Sequence, residues 1–157
     1  MQLTRVLLAV LAAALPARLA RAQSDDSKVT LIKRDQVTAA FAKGMPLVEV
    51  GDYKIHASRR EGPGMAEIHT RDTDIAYVLQ GSATLVAGGT AVDVKSIGPE
   101  ELRGSGIRGG QTRTLQPGDL VIIPNGIPHW FKNVSAPFLY YVVKVRQAQR
   151  LASVGAK

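Results

Sequence analysis

Two short stretches of the chain concentrate residue types that bind metal ions and move protons. The first runs Glu67-Ile68-His69-Thr70-Arg71-Asp72-Thr73-Asp74 and continues through Ile75-Ala76-Tyr77-Val78-Leu79-Gln80 to Gly81. In a strand, residues i and i+2 share a face, so Glu67 and His69 point the same way and can grip one ion. After a turn Asp74 opens the next strand, where hairpin pairing can bring its carboxylate back toward His69. Asp72 competes for that place from within the turn. The second stretch sets a Gly118-Asp119 turn before the apolar run Leu120 to Ile123, then a Pro124-Asn125-Gly126 turn, then His129. A return strand starting at His129 presents it with Phe131 and Asn133. A histidine in such company is more often a hydrogen-bonded core residue than a ligand, and it is the relation to the first stretch that singles it out. The chain has no cysteine, and its histidines are His56, His69 and His129. Any metal must therefore be held by imidazole and carboxylate, and disulfides, zinc ribbons and thiolate nucleophiles are excluded.

The elements that must position these residues are short strands. After Gly44 the sequence breaks into apolar or alternating runs between Gly, Pro and Asp: Leu47–Val50, Tyr53–Ser58, Met65–His69, Ile75–Leu79, Ala83–Ala87, Ala91–Val94, Thr112–Leu115, Leu120–Ile123, His129–Val134 and Phe138–Val145. Helices of ten or more residues do not fit between the breakers, so the pattern predicts an all-β sandwich or barrel and excludes a parallel α/β sheet. One short helix precedes it, with Asp35 as its expected cap, Val37, Ala40 and Phe41 along it, and Gly44 ending it in a left-handed turn. From Gly88 to Gly110 the glycine-rich sequence, with Glu100, Glu101, Arg103 and Arg108 in it, reads as a solvated surface loop, the alternative being an excursion at a barrel mouth that shapes a binding site.

A length of 157 residues, 45% hydrophobic and 21% charged, suits one globular domain. The net charge of +7 would invite a nucleic-acid reading, but part of it lies in residues 1–22. That segment has a basic start at Arg5, an apolar run from Val6 to Leu15 and a small-x-small site at Ala20-Arg21-Ala22, and it reads as a secretory signal peptide. The run is too short to span ~30 Å of hydrocarbon, so no stable membrane anchor is expected. Without Arg5, Arg18 and Arg21 the 20 basic residues fall to 17 against 13 acidic ones, a balance of +4 with no basic stripe for nucleic acid. The expected organisation is a signal peptide at 1–22, a segment with the helix at 23–45, a barrel at 46–146 and a tail at 147–157. The expected location is periplasmic or secreted.

Together the two stretches resemble the motifs of the cupin superfamily. The second motif of that superfamily is Gly, five residues, Pro, one residue, Gly, two residues, His, three residues, Asn, and Gly118, Pro124, Gly126, His129 and Asn133 match it throughout. The first motif ends with two histidines one residue apart, then three or four residues, an acidic ligand, six residues and a glycine. His69, Asp74 and Gly81 match, while Glu67 stands where the first histidine usually does and Asp74 replaces the usual Glu. The resemblance implies a single-domain cupin (jelly-roll) barrel. It also implies one divalent ion per chain (Fe, Mn, Ni or Zn) held by Glu67, His69, Asp74 and His129, with Glu67 or Asp74 as the catalytic carboxylate. It points to dioxygenase-type chemistry or a redox-neutral lyase, isomerase or decarboxylase reaction on a small organic molecule. The alternative is a non-catalytic binder of a sugar or metabolite, and a homodimer is left open. Outside the motifs, His56 reads as a surface or interface residue, Arg59 and Arg60 as a solvated strand end or an anion-recognising rim, and Tyr77, Trp130, Tyr140 and Tyr141 as sheet packing.

Overall fold

A computed structural model describes residues 28–147, so the signal peptide expected at 1–22 and nearly all of the expected tail lie outside the described residues. The helix α1 (Arg34–Lys43) ends as its sequence predicts, with Gly44 at φ 67° closing onto the Ala40 carbonyl. Its start differs from expectation. Lys33 occupies the cap position and its N–H donates to Gln36 Oε1 at 2.9 Å, while Asp35 lies in the first turn. There its charge favours the positive end of the helix dipole. Phe41 meets Tyr141 edge-on, with ring centroids 4.8 Å apart, and this contact seats the helix on the outside of the sheet. No helix among the described residues is long and apolar enough to cross a membrane.

The rest is antiparallel strand: β1 (Met45–Glu49), β2 (Tyr53–Arg60), β3 (Ala66–His69), β4 (Asp72–Gln80), β5 (Ala83–Ala87), β6 (Thr90–Val92), β7 (Lys95–Gly98), β8 (Glu101–Gly104), β9 (Gly106–Arg108), β10 (Gln111–Leu115), β11 (Leu120–Ile123), β12 (His129–Val134) and β13 (Phe138–Arg146). One sheet has the order β1-β2-β13-β4-β11, the other β10-β5-β12-β3-β8-β7, and β6 pairs with β9. All the expected strands form. The segment from Gly88 to Gly110 is not the solvated loop its glycines suggest. It folds into β6 to β9, and β8 pairs with β3 from Ala66↔Gly104 to His69↔Glu101, extending the second sheet. These strands are too short to show alternation, so their pairing is set by their neighbours rather than by their own pattern.

The interior changes character along its length. Val78, Leu85, Phe131, Phe138 and Tyr140 are buried in one cluster, with Phe131, Phe138 and Tyr140 in mutual ring contact at 5.0–5.7 Å between centroids. Continuing along the same inward faces, β13 passes from Val142 to Lys144, and β4 passes from Ala76 to Asp74 and Asp72. One half of the barrel is a packed apolar core and the other is a polar chamber.

Between the two sheets the chain turns sharply at Gly81, with φ 79°, where an added Cβ would stand 2.3 Å from Ser135 Oγ and 2.6 Å from the Pro137 carbonyl. Gly62, by contrast, has open space around it. Gly81→Ala is expected to lower stability by ~1–3 kcal/mol in urea unfolding, whereas Gly62→Ala should stay within ~0.5 kcal/mol. Equal effects at both positions would refute this account of the turn.

Candidate metal centre

His69 and His129 come together through their flanking turns. Gly126 N–H donates to the His69 carbonyl at 2.8 Å and Asn125 Nδ2 donates to the Thr70 carbonyl at 3.2 Å, which sets the start of β12 against the end of β3. His129 then lies directly across from Glu67. The rings of His69 and His129 are 5.2 Å apart. His129 is 2% exposed, and its Nδ1–H donates to the Ile127 carbonyl at 3.1 Å, leaving Nε2 as a lone pair aimed into the chamber. His69 Nε2 is buried and has no hydrogen-bond partner among the described residues.

Two carboxylates face these nitrogens. Glu67 Oε2 is 3.6 Å from His69 Nε2 and 3.9 Å from His129 Nε2, and Asp74 Oδ2 is 3.5 Å and 3.9 Å from the same atoms. Glu67, His69 and His129 each offer a ligand atom within 4.8 Å of the others, so this trio could hold a metal ion. Donors bound to an ion at about 2.1 Å lie roughly 3.0–3.4 Å from one another, so only a small contraction separates this arrangement from a coordination shell. An orphaned imidazole nitrogen, a second with its lone pair turned inward and a carboxylate oxygen suit a borderline divalent cation.

Each carboxylate is also anchored from behind. Glu67 Oε1 accepts from Arg60 Nη2 at 2.7 Å and lies 2.5 Å from Arg103 Nη1, which leaves Oε2 for the histidines. Burial would raise the Glu67 carboxyl, but His69, Arg60 and Arg103 outweigh it and hold the group far below the usual carboxylate range. Arg60 is itself fixed, with Nε donating to Tyr140 Oη at 3.0 Å and its guanidinium 4.7 Å over the Phe131 ring. Gly64 makes room for it, since a Cβ there would stand 2.5 Å from Arg60 Nη1. Asp74 receives Lys144 Nζ on both oxygens, at 2.8 and 2.9 Å, from the position directly opposite on β13.

The residues expected at the site therefore do converge, with differences around them. Asp72 faces the chamber but pairs with Lys54 at 3.1 Å and with Arg146 at 3.5 Å, away from the histidines. Burial opposes ionisation of Asp72, and Lys54 with Arg146 and Lys144 more than offsets it, so its carboxyl is lowered. His56 is not a surface residue. It lines the chamber 3.4 Å from Glu49, because the polar face of β2 turns inward while α1 packs on the apolar face. Arg60 likewise points in, whereas Arg59 pairs with Glu61 outside. Tyr140 is more than packing, since its hydroxyl fixes Arg60. Lys144 was legible in principle, as the last member of the alternating series Phe138, Tyr140, Val142. Arg103 lies in the glycine-rich segment and had no such signal. The chamber these side chains enclose has a volume of about 720 Å³.

Burial pushes the His129 imidazole below its ordinary range, so the unfolded chain binds a proton that the folded one refuses. Its contribution to stability is full above about pH 6.5 and is lost as the pH falls. The lowered Glu67 carboxyl adds a second contribution, full above about pH 4.3 and lost as the pH falls toward its depressed folded value. The urea midpoint of metal-free protein should fall between pH 7 and pH 5, and His129→Asn should narrow that gap. An unchanged gap would contradict the neutral-imidazole assignment.

No curated protein sequence matches the chain. Among solved structures, BH2720 from Bacillus halodurans is 13% identical, with 80% of this chain and 87% of that chain aligned at a TM-score of 0.56, which shows a shared fold. The DMSP lyase DddQ from Ruegeria pomeroyi is 20% identical over 67% of this chain and 43% of that one, at a TM-score of 0.44. A recombinant oxalate oxidase in complex with glycolate is 20% identical over 62% and 43%, at 0.42. The chain thus spans less than half the length of the latter two. The family model described as Cupin matches residues 25–155, which contain all of the paired sheets and the histidine chamber, and the chain belongs to the cupin family.

Proposed function

We propose that the protein is a metal-dependent cupin enzyme acting on a small oxygen-bearing organic molecule. One divalent ion, Fe, Mn, Ni or Zn, would be held by Glu67, His69 and His129, with Asp74 as a fourth ligand or as the general base. The observation that carries this reading is the buried, unpartnered Nε2 of His69 facing a second imidazole lone pair and two carboxylates. Such a group is costly to bury without a cation or donor to satisfy it. When bound, the ion would supply Lewis-acid or redox chemistry, serving an oxidase-type reaction or a lyase, isomerase or decarboxylase reaction.

The chain's own side chains supply the rest. Arg60 and Arg103 keep Glu67 Oε1 occupied, so its other oxygen is presented in one orientation. Lys144 fixes Asp74 beside His69, where its carboxylate can take or return a substrate proton. Ser58, Tyr140 and Lys54 line the same chamber and can orient substrate oxygens, and the aromatic cluster beneath excludes water from one side. A second reading, a non-catalytic binder, is favoured by the pairing of Glu67 with two arginines and of Asp74 with Lys144, which balances charge without an ion.

Metal analysis separates the two. The wild type should bind about one divalent ion per chain, and His69→Ala and His129→Ala should each abolish binding. Glu67→Ala should weaken affinity strongly, and Glu67→His should keep it while shifting preference toward nitrogen-loving ions. Asp74→Ala with retained metal and lost turnover would mark Asp74 as the base. No uptake of any of these metals by the wild type would leave the binder reading. Residues 1–22 are also inferred to direct export, which would place the mature protein in the periplasm or outside the cell. Intact-mass measurement of exported protein should give an N-terminus at Gln23, and full-length chain in the membrane fraction would overturn that inference.

A further inference from the structure

The inner face of the second sheet does not stop at the metal chamber. A single cross-strand row runs from His129 on β12 to Glu67 on β3, Arg103 on β8 and Lys95 on β7. Beyond the Arg60–Glu67–Arg103 partition lies a second cavity of about 640 Å³ lined by Met65, Asp93, Lys95, Ile97 and Ser105 together with those three residues. Its chemistry differs from that of the chamber. Met65 and Ile97 are 53% and 59% exposed, an apolar strip beside two cationic side chains. Asp93 accepts from Ser105 Oγ at 2.8 Å. The Lys95 side chain makes no hydrogen bond or ion pair with any described residue, and Arg103, with five N–H donors, pairs with Glu67 and Glu101.

We propose that this second cavity binds a free aliphatic monocarboxylate, with its carboxylate on Lys95 and Arg103 and its chain along Met65 and Ile97. A carboxylate there gives Lys95 the counter-charge it lacks, and an alkyl chain covers the apolar strip that is now in water. A polar metabolite would leave Met65 and Ile97 exposed, and an uncharged alkane would leave Lys95 unanswered. The cavity shares Arg60, Glu67 and Arg103 with the metal chamber, but Lys95, Met65 and Ile97 line it alone, so a ligand seated on them does not require an ion.

Hexanoate is the probe, titrated calorimetrically into full-length protein stripped of metal by a chelator, with acetate and hexanamide as the chain-free and charge-free controls. Hexanoate should bind, and both controls should bind at least about tenfold more weakly. Ile97→Asp and Lys95→Glu, both at exposed positions, should each weaken hexanoate about tenfold and leave divalent-metal affinity unchanged. Four results would overturn the proposal: no hexanoate binding, equal binding of hexanamide, indifference to both substitutions, or binding only when a divalent ion is present. The last would place the ligand in the metal chamber. A wild type that takes up no metal but still binds hexanoate would sink the enzyme reading and leave this site standing.

Discussion

Burying carboxylates requires a cation within reach of each, and the architecture follows from how that requirement is met. Glu67, Asp72 and Asp74 are all buried at one end of the barrel, alongside His69 and His129. Uncompensated, any one of them would cost several kcal/mol or would take up a proton. Each instead meets a cation from the facing sheet, from the neighbouring strand or, for Lys54 on Asp72, from two strands away in the same sheet. Arg60 and Arg103 serve Glu67, Lys54 and Arg146 serve Asp72, and Lys144 serves Asp74. Register is thereby coupled to charge. A one-residue slip of β13 on β4 would take Lys144 away from Asp74 and Arg146 away from Asp72 in one step.

The same compensation explains how the centre departs from the usual cupin pattern without collapsing. A glutamate in place of the first histidine adds negative charge next to His129, and two guanidiniums clamped on its outer oxygen absorb that charge. Shortening the later acidic residue to Asp74 leaves its carboxylate farther back on the strand, where Lys144 takes both oxygens. Arg60 is held to a single pose by Tyr140, Phe131 and the missing side chain at Gly64, so Glu67 is presented by a rigid support. The apolar half of the barrel thus orients the polar half, through Tyr140 and Phe131, which belong to both.

Lys95 and Ile97 become meaningful only once β7 is seen to extend the second sheet. Their strand is short, lies at the sheet edge and carries a register irregularity between Ser96 and Gly98. The charged Lys95 side chain and this irregularity discourage pairing of the edge with another strand.

By itself the sequence determined the strand-rich fold and the helix stop at Gly44, because these depend on local periodicity and turn chemistry, while the meeting of His69 with His129 was implied by the resemblance of the two motifs to those of cupins. Strand alternation was enough to set Glu67 on the His69 face. It could also have indicated Lys144 on the face of Tyr140 and Val142. Only the tertiary structure decided which side of β2 is wet. His56 and Arg60 read as exposed because polar strand faces usually meet solvent, and here they line the chamber between the sheets while the helix covers the other side. Only the pairing of β8 with β3, of β7 with β8 and of β6 with β9 ordered the segment from Gly88 to Gly110, and the first of these brought Arg103 to Glu67. Long-range partners of that kind leave no periodic trace in the segment that receives them.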